Sequence, residues 1–162
     1  MSKYSILALP LLAVLSFASL MVAAKDMPSP DGEKVWTYIS QKNPYVKWEK
    51  WPGYPGMYPG ESPHGAYLKL YVNAIALNAI QEKKEIMPQG AVIVKENYGE
   101  DQETLIAVTP MYKVKGYNPE AGNWFWAKYG ADGKVMAEGK VKGCIDCHSK
   151  RKENDWIFTE SR

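Results

Sequence analysis

Residues 124–148 read WFWAKYGADGKVMAEGKVKGCIDCH: two strand-like runs, followed directly by a Cys-x-x-Cys-His motif. Asp132-Gly133, in the link Ala131-Asp132-Gly133 between Trp124–Tyr129 and Lys134–Val141, signals a hairpin. On the helical turn that follows, Cys144, Cys147 and His148 stand at i, i+3 and i+4, so their side chains leave from one face. This arrangement suits one covalently attached haem c, with two thioether bonds to the former vinyl groups and His148 on the proximal side of the iron. Zinc would need about four ligands, and the chain has one further His and no further Cys. A thiol–disulfide site is expected early in a βαβ pattern, not after a run of strands. A disulfide within the motif would close a tiny loop and stabilise little.

Upstream, the period of two continues. In Ala66–Asn73, Leu68, Leu70 and Val72 alternate with Tyr67, Lys69 and Tyr71, which predicts a half-buried strand. Asn73 is placed to cap a helix through Ala74–Glu85, with Ile75, Leu77 and Ile80 on its apolar side. Strands are expected at Ala91–Tyr98, after Pro88-Gln89-Gly90, and at about Thr104–Lys115, where Pro110 demands a bulge or an edge position. Near the start, Ser29-Pro30-Asp31-Gly32-Glu33 marks a helix N-terminus. Val35, Trp36 and Ile39 then share one face up to Asn43-Pro44. Residues 44–65 (with WPGYPGMYPGESPHG at 51–65) read as an aromatic-studded loop. The fold class is α+β: a mainly antiparallel β-sheet with flanking helices and a C-terminal haem-binding helix.

Residues 1–24 read as a secretory signal peptide: Lys3, an apolar run from Ile6 to about Val22, then the small residues Val22-Ala23-Ala24. The run contains Pro10 and stands at the short limit for spanning a bilayer, which leaves an uncleaved anchor as the alternative. Residues 25–162 form a single domain that is periplasmic or otherwise exported, the compartment in which bacterial c-type haem is attached. No second stretch could span a membrane. The balance of 20 Lys+Arg against 18 Asp+Glu argues against a nucleic-acid partner that binds by counterion release. With two Cys and two His, a disulfide scaffold and an all-protein multi-metal site are excluded. There is no Ser/His/Asp arrangement and no phosphate-cradling Gly loop. Six Trp and eleven Tyr in 162 residues suit the walls around a large apolar plate.

Small electron-transfer cytochromes c carry the haem motif near the N-terminus of an all-helical fold, and four-helix cytochromes c prime have helices before it. A C-terminal motif behind strands matches neither. The chain instead resembles the cytochrome P-460 family, whose fold is shared with cytochrome c prime beta. The resemblance is carried by Gly90–Asn97 (GAVIVKEN), Met111-Tyr112-Lys113, Asn123–Tyr129 (NWFWAKY), Cys144–His148 and Asp155–Phe158 (DWIF), over about residues 60–158. It implies a homodimer whose subunits each hold one five-coordinate haem c with an open distal face. In such enzymes a strand lysine is cross-linked to the porphyrin and hydroxylamine is oxidised; the matching residue here is Lys95. Relatives without the cross-link bind nitric oxide or carbon monoxide in a hydrophobic pocket.

Three readings follow. In the first, hydroxylamine or a related small nitrogen species is oxidised opposite His148, a distal base takes protons, and electrons leave to a redox partner protein. The second keeps the pocket as a gas-binding site without turnover. The third is electron transfer through a six-coordinate haem. Lys95 shares a strand face with Ala91 and Ile93; from spacing alone it is a solvent-facing edge lysine, and from the resemblance it is haem-adjacent. His64 is a candidate distal ligand, a distal proton donor, or a plain loop residue. Met57, Met87 and Met111 are alternative axial candidates that also suit packing, with Met111 favoured because it lies in a family-like segment. Glu96, Asp132, Asp146 and Asp155 are carboxylates that could move protons, and the sequence does not choose among them.

Overall fold

The computed structural model describes residues 27–159. The expected signal peptide, 1–24, lies outside them. Among the described residues no helix is long and apolar enough to cross a membrane.

One antiparallel sheet organises the domain, with strands β1 (Glu49–Lys50), β2 (Tyr58–Pro59), β3 (Tyr67–Val72), β4 (Val92–Tyr98), β5 (Leu105–Lys113), β6 (Trp124–Gly130) and β7 (Val135–Gly139). The order is β1-β3-β4-β5-β6-β7, with β2 also on β3. The segment 44–65 is therefore not all loop. A 3-10 turn at Tyr45–Lys47 precedes two dipeptide strands that pair with Val72, Tyr71, Leu68 and Tyr67. They occupy backbone groups of β3 that would otherwise stand unpaired at an edge. The hairpin between β6 and β7 is as expected, with Gly133 at φ 82° in the turn.

Helix α1 (Gly32–Thr37) starts at Asp31, whose carboxylate accepts the Lys34 N–H, and a π-helical turn carries it on to Lys42. Helix α2 (Ala74–Gln81) is capped by Asn73. That side chain also accepts the Val92 N–H and donates to the Gly90 carbonyl, tying the helix start to β4. α2 stops four residues short of the expected Glu85, because Lys83 takes a left-handed conformation (φ 54°). Helix α3 (Lys142–His148) carries the Cys-x-x-Cys-His motif, and a 3-10 segment, Ser149–Asn154, follows it.

Both faces of the sheet are covered. Leu70, Val72, Ile93, Met111, Trp124 and Trp126 pack with α2, Trp51, Trp156 and Ile157 on one face. Tyr71, Val92, Val94, Val108, Tyr112 and Phe125 pack with Val35, Ile39 and Tyr45 on the other. The half-buried expectation for 66–73 is thus corrected: Tyr71 faces away from Leu70 and is still buried, because the α1 side covers it. Pro110 needs neither a bulge nor an edge. It sits in a central strand in register with Val94, and the β5–β6 pairing skips Thr109 and Pro110 before resuming at Met111. A residue without an N–H is tolerated where the ladder is already interrupted.

Candidate haem site

A cavity of about 490 Å³ opens between α3 and the face of the sheet that carries Ile93, Met111 and Trp126. These three are cross-strand partners on β4, β5 and β6, so they make one continuous apolar row. Cys144, Cys147 and His148 enter from the helix, and Ile157 and Phe158 from the C-terminal strap. The helical spacing does what the sequence analysis expected: all three side chains of the motif face one space.

Lys95 lies in an interior strand, flanked across the sheet by Leu70 and Thr109, and it lines the cavity. The edge-lysine reading is corrected by the strand order. Its ammonium has no hydrogen bond or ion pair among the described residues, and burial lowers its pKa to about 8. An amine poised in this way stays mostly charged at pH 7 but has a far larger neutral, nucleophilic fraction than an ordinary lysine.

His64 comes from the loop before β3 and also lines the cavity, its ring centroid 6.4 Å from that of His148. Its Nδ1 is 2.9 Å from Asn97 Oδ1. The Asn97 amide nitrogen donates to the Lys95 and Ala107 carbonyls, so Oδ1 must be the atom that faces the histidine. His64 therefore donates from Nδ1 and keeps its lone pair on Nε2. Burial, and then the charge of Lys95, hold its pKa down at about 4 against the opposing Asn97 bond. Asn97 was not among the expected site residues. Its signals in the sequence are its parity with Lys95 on β4 and its place in the family-like segment Gly90–Asn97.

His148 is buried, with the Trp126 ring at 4.6 Å and the Phe158 ring at 5.1 Å, both edge-to-face. Its Nδ1 donates to the Trp156 carbonyl at 2.6 Å. That contact fixes the tautomer and leaves the Nε2 lone pair free toward the cavity. Burial, chiefly, lowers the His148 pKa, so the ring is neutral and ready to bind a metal. Burial also raises the Cys144 thiol, which its neighbour Cys147 reinforces. The residues present fit a haem: two free thiols, a neutral oriented imidazole and an apolar wall. The buried Trp126 indole N–H, without a partner among the described residues, marks further polar capacity at the wall.

A family model for cytochrome P460 matches residues 30–159. The chain belongs to the cytochrome P460 family. It is therefore a haem-binding cytochrome, and the expectation drawn from its sequence resemblance holds. No curated protein matches the chain.

The structure sorts the remaining candidates around this P460-type pocket. Met111 lines it; Met87 is buried in the core, and Met57 lies half-buried in the loop before β2. No carboxylate lines the cavity among the described residues. Glu96 points to the opposite face and accepts the hydroxyls of Tyr45, Tyr71 and Tyr98. Asp132 accepts the Lys134 N–H in the exposed turn, and Asp146 pairs with Lys142 on the surface of α3. Asp155 is locked to Lys113. Of the three aromatic residues that open β6, Trp126 forms wall, Trp124 packs behind it in the same core, and Phe125 faces the other core.

Proposed function

We propose that this cytochrome carries one haem c, bound through Cys144 and Cys147 with His148 on the iron, and oxidises hydroxylamine or a related small nitrogen species on the opposite side. The observation that carries this reading is the composition of the cavity. The attachment triad shares it with a neutral histidine and two lysines, Lys95 and Lys128, and among the described residues with no carboxylate.

The haem supplies the electron-accepting iron. What the protein adds follows from its own groups. Oxidation of hydroxylamine releases protons together with electrons, and the protons need an acceptor inside an apolar pocket. His64 offers Nε2 to relay them, because Asn97 holds its other nitrogen as the donor; with a pKa of about 4 it passes a proton onward and does not retain it. Lys95 is the residue placed to form a haem–lysine bond, and its lowered pKa supplies the deprotonated amine that bonding requires. The apolar row Ile93–Met111–Trp126 keeps water from competing for the site. Electrons leave to a redox partner protein. Export by way of residues 1–24 and assembly as a homodimer complete the proposal.

A second reading is favoured by one distance. His64 and His148 face each other at 6.4 Å between ring centroids, which suits His64 as a sixth ligand and a role in electron transfer. A third, gas binding without turnover, draws on the apolar lining. The test is the absorption spectrum of the purified ferrous protein, read with its intact mass and its turnover of hydroxylamine. A red-shifted Soret band, a mass matching an added haem–lysine bond and turnover are expected. A low-spin six-coordinate spectrum would establish the second reading in its place. An ordinary high-spin spectrum without turnover would establish gas binding.

A further inference from the structure

Two segments that do not hold the haem themselves meet in the core behind it. Lys113 ends β5, and Asp155 opens the C-terminal strap. The lysine lies 2.5 and 2.7 Å from the two carboxylate oxygens of Asp155, with both side chains more than nine-tenths buried. The same carboxylate accepts the Met87 N–H at 2.8 Å, and the Asp155 carbonyl accepts the Trp124 indole N–H at 2.9 Å.

These contacts hold an unfavourable turn. Asp155 and Trp156 both adopt left-handed backbone angles, φ 50° and 68°, which residues with a Cβ take only when their surroundings over-determine them. The Trp156 ring rests on Gly122, where an added Cβ would stand 2.6 Å from the ring. The product of the turn is the direction of one group: the Trp156 carbonyl, which meets His148 Nδ1 at 2.6 Å.

We propose that the Lys113–Asp155 pair is a positioning device for the iron ligand, holding the turn whose carbonyl orients His148 and draws electron density onto its imidazole. The inference rests on His148 being that ligand. A buried ion pair is a poor way to gain stability alone, since apolar groups of the same shape do as well. A carboxylate gripped by both a cation and a backbone amide fixes direction, and direction is what a partner behind a metal ligand requires. Releasing the pair lets the turn relax toward ordinary φ and withdraws the carbonyl. The imidazole then becomes a weaker donor, and the oxidised iron loses support.

The test uses the full-length holoprotein, in wild-type form and as Lys113→Met, Asp155→Asn, Lys113→Arg and Val94→Ala. Val94→Ala is a control that disturbs the core on the far face of the sheet. Two quantities are read: the iron–imidazole stretching frequency of the ferrous protein by resonance Raman, and the midpoint potential. In Lys113→Met and Asp155→Asn the frequency should fall. The potential should rise by about a tenfold change in the reduction equilibrium, about 59 mV for one electron. Lys113→Arg should restore most of both, and Val94→Ala should move neither while lowering the melting temperature. An unshifted band in Lys113→Met with lowered stability would overturn the proposal. Should that variant fail to hold haem, an unshifted band in Asp155→Asn, which keeps the shape of the carboxylate, overturns it equally. Absence of an iron–imidazole band from a five-coordinate high-spin wild type would instead overturn the ligand assignment; in a six-coordinate protein the midpoint potential decides, and an unshifted potential in Lys113→Met and Asp155→Asn overturns the proposal.

Discussion

Lys95 and Glu96 are neighbours in one strand and meet opposite fates. Glu96, on the α1 side of the sheet, is buried and accepts hydrogen bonds from three tyrosines at 2.8–3.1 Å. Burial, and then the Glu96 charge, push the Tyr45 and Tyr71 pKa values up, so their hydroxyls remain donors throughout the ordinary pH range. Among the described residues Lys95, on the cavity side, has no such partner, and neither does the Trp126 indole N–H beyond it. A buried polar group without a partner costs free energy. The Glu96 cluster is thus closed on itself and structural, whereas the cavity, for all the satisfied groups behind it, leaves Lys95 and Trp126 open to a ligand.

The largest effect expected from testing this contrast is on the cavity side. Cys144→Ala with Cys147→Ala should abolish covalent haem, and intact mass after denaturation checks it. Haem retained under those conditions would break the assignment of that face.

Replacing His64 with Gln comes next. If His64 is the proton acceptor, hydroxylamine turnover should fall by about 10²–10⁴-fold in kcat, with substrate binding little changed in steady-state kinetics. The same residue gives a pH signature. Its folded pKa, about 4, lies below the ordinary value of 6.5. Between those values the unfolded chain binds more protons, so stability present above pH 6.5 is lost as pH falls toward 4. Urea titrations of wild type and His64→Gln should diverge across that window, with the variant less sensitive to acid.

On the opposite face, Glu96→Ala should cost about 3 kcal/mol in chemical denaturation, because buried tyrosine hydroxyls lose their acceptor. The haem spectrum should not change. A shifted Soret band would show that the two faces are coupled.

The smallest effect on stability belongs to Lys95→Met. It should remove any haem–lysine mass signature without lowering stability at pH 7. A charged amine held at a pKa of about 8 against an ordinary 10.5 works against folding at that pH. In protein without the lysine–haem bond, the deficit of wild type relative to the variant is full below pH 8 and closes as pH rises through 10.5. Parallel melting curves from pH 7 to 10.5 would show that Lys95 is solvated, as the far face would have it.

Much of this contrast is local in the sequence. The spacing of Cys144, Cys147 and His148, the cap at Asn73, the Asp132-Gly133 turn and the two-residue period of β4 each depend on residues a few positions apart. The period also placed Lys95 and Glu96 on opposite faces. It could not say which face held the cavity, because Val92 and Val94 on one side are as apolar as Ala91 and Ile93 on the other. The period does not show the burial of Tyr71 on β3, since the Tyr45 ring and Lys50 that cover it are not written into β3 itself.

The haem motif, the alternation of strands and the helix starts are encoded locally, because near-neighbour sterics and hydrogen bonds set those patterns. Tertiary structure alone decided the rest. The strand order buried Lys95 in the middle of the sheet, and a contact spanning 33 residues set the tautomer of His64 through Asn97. A pair 42 residues apart, Lys113 and Asp155, held the turn that aims a carbonyl at His148. These features rest on register and on desolvation inside a packed core, where the energy of a polar group depends on partners distant in sequence.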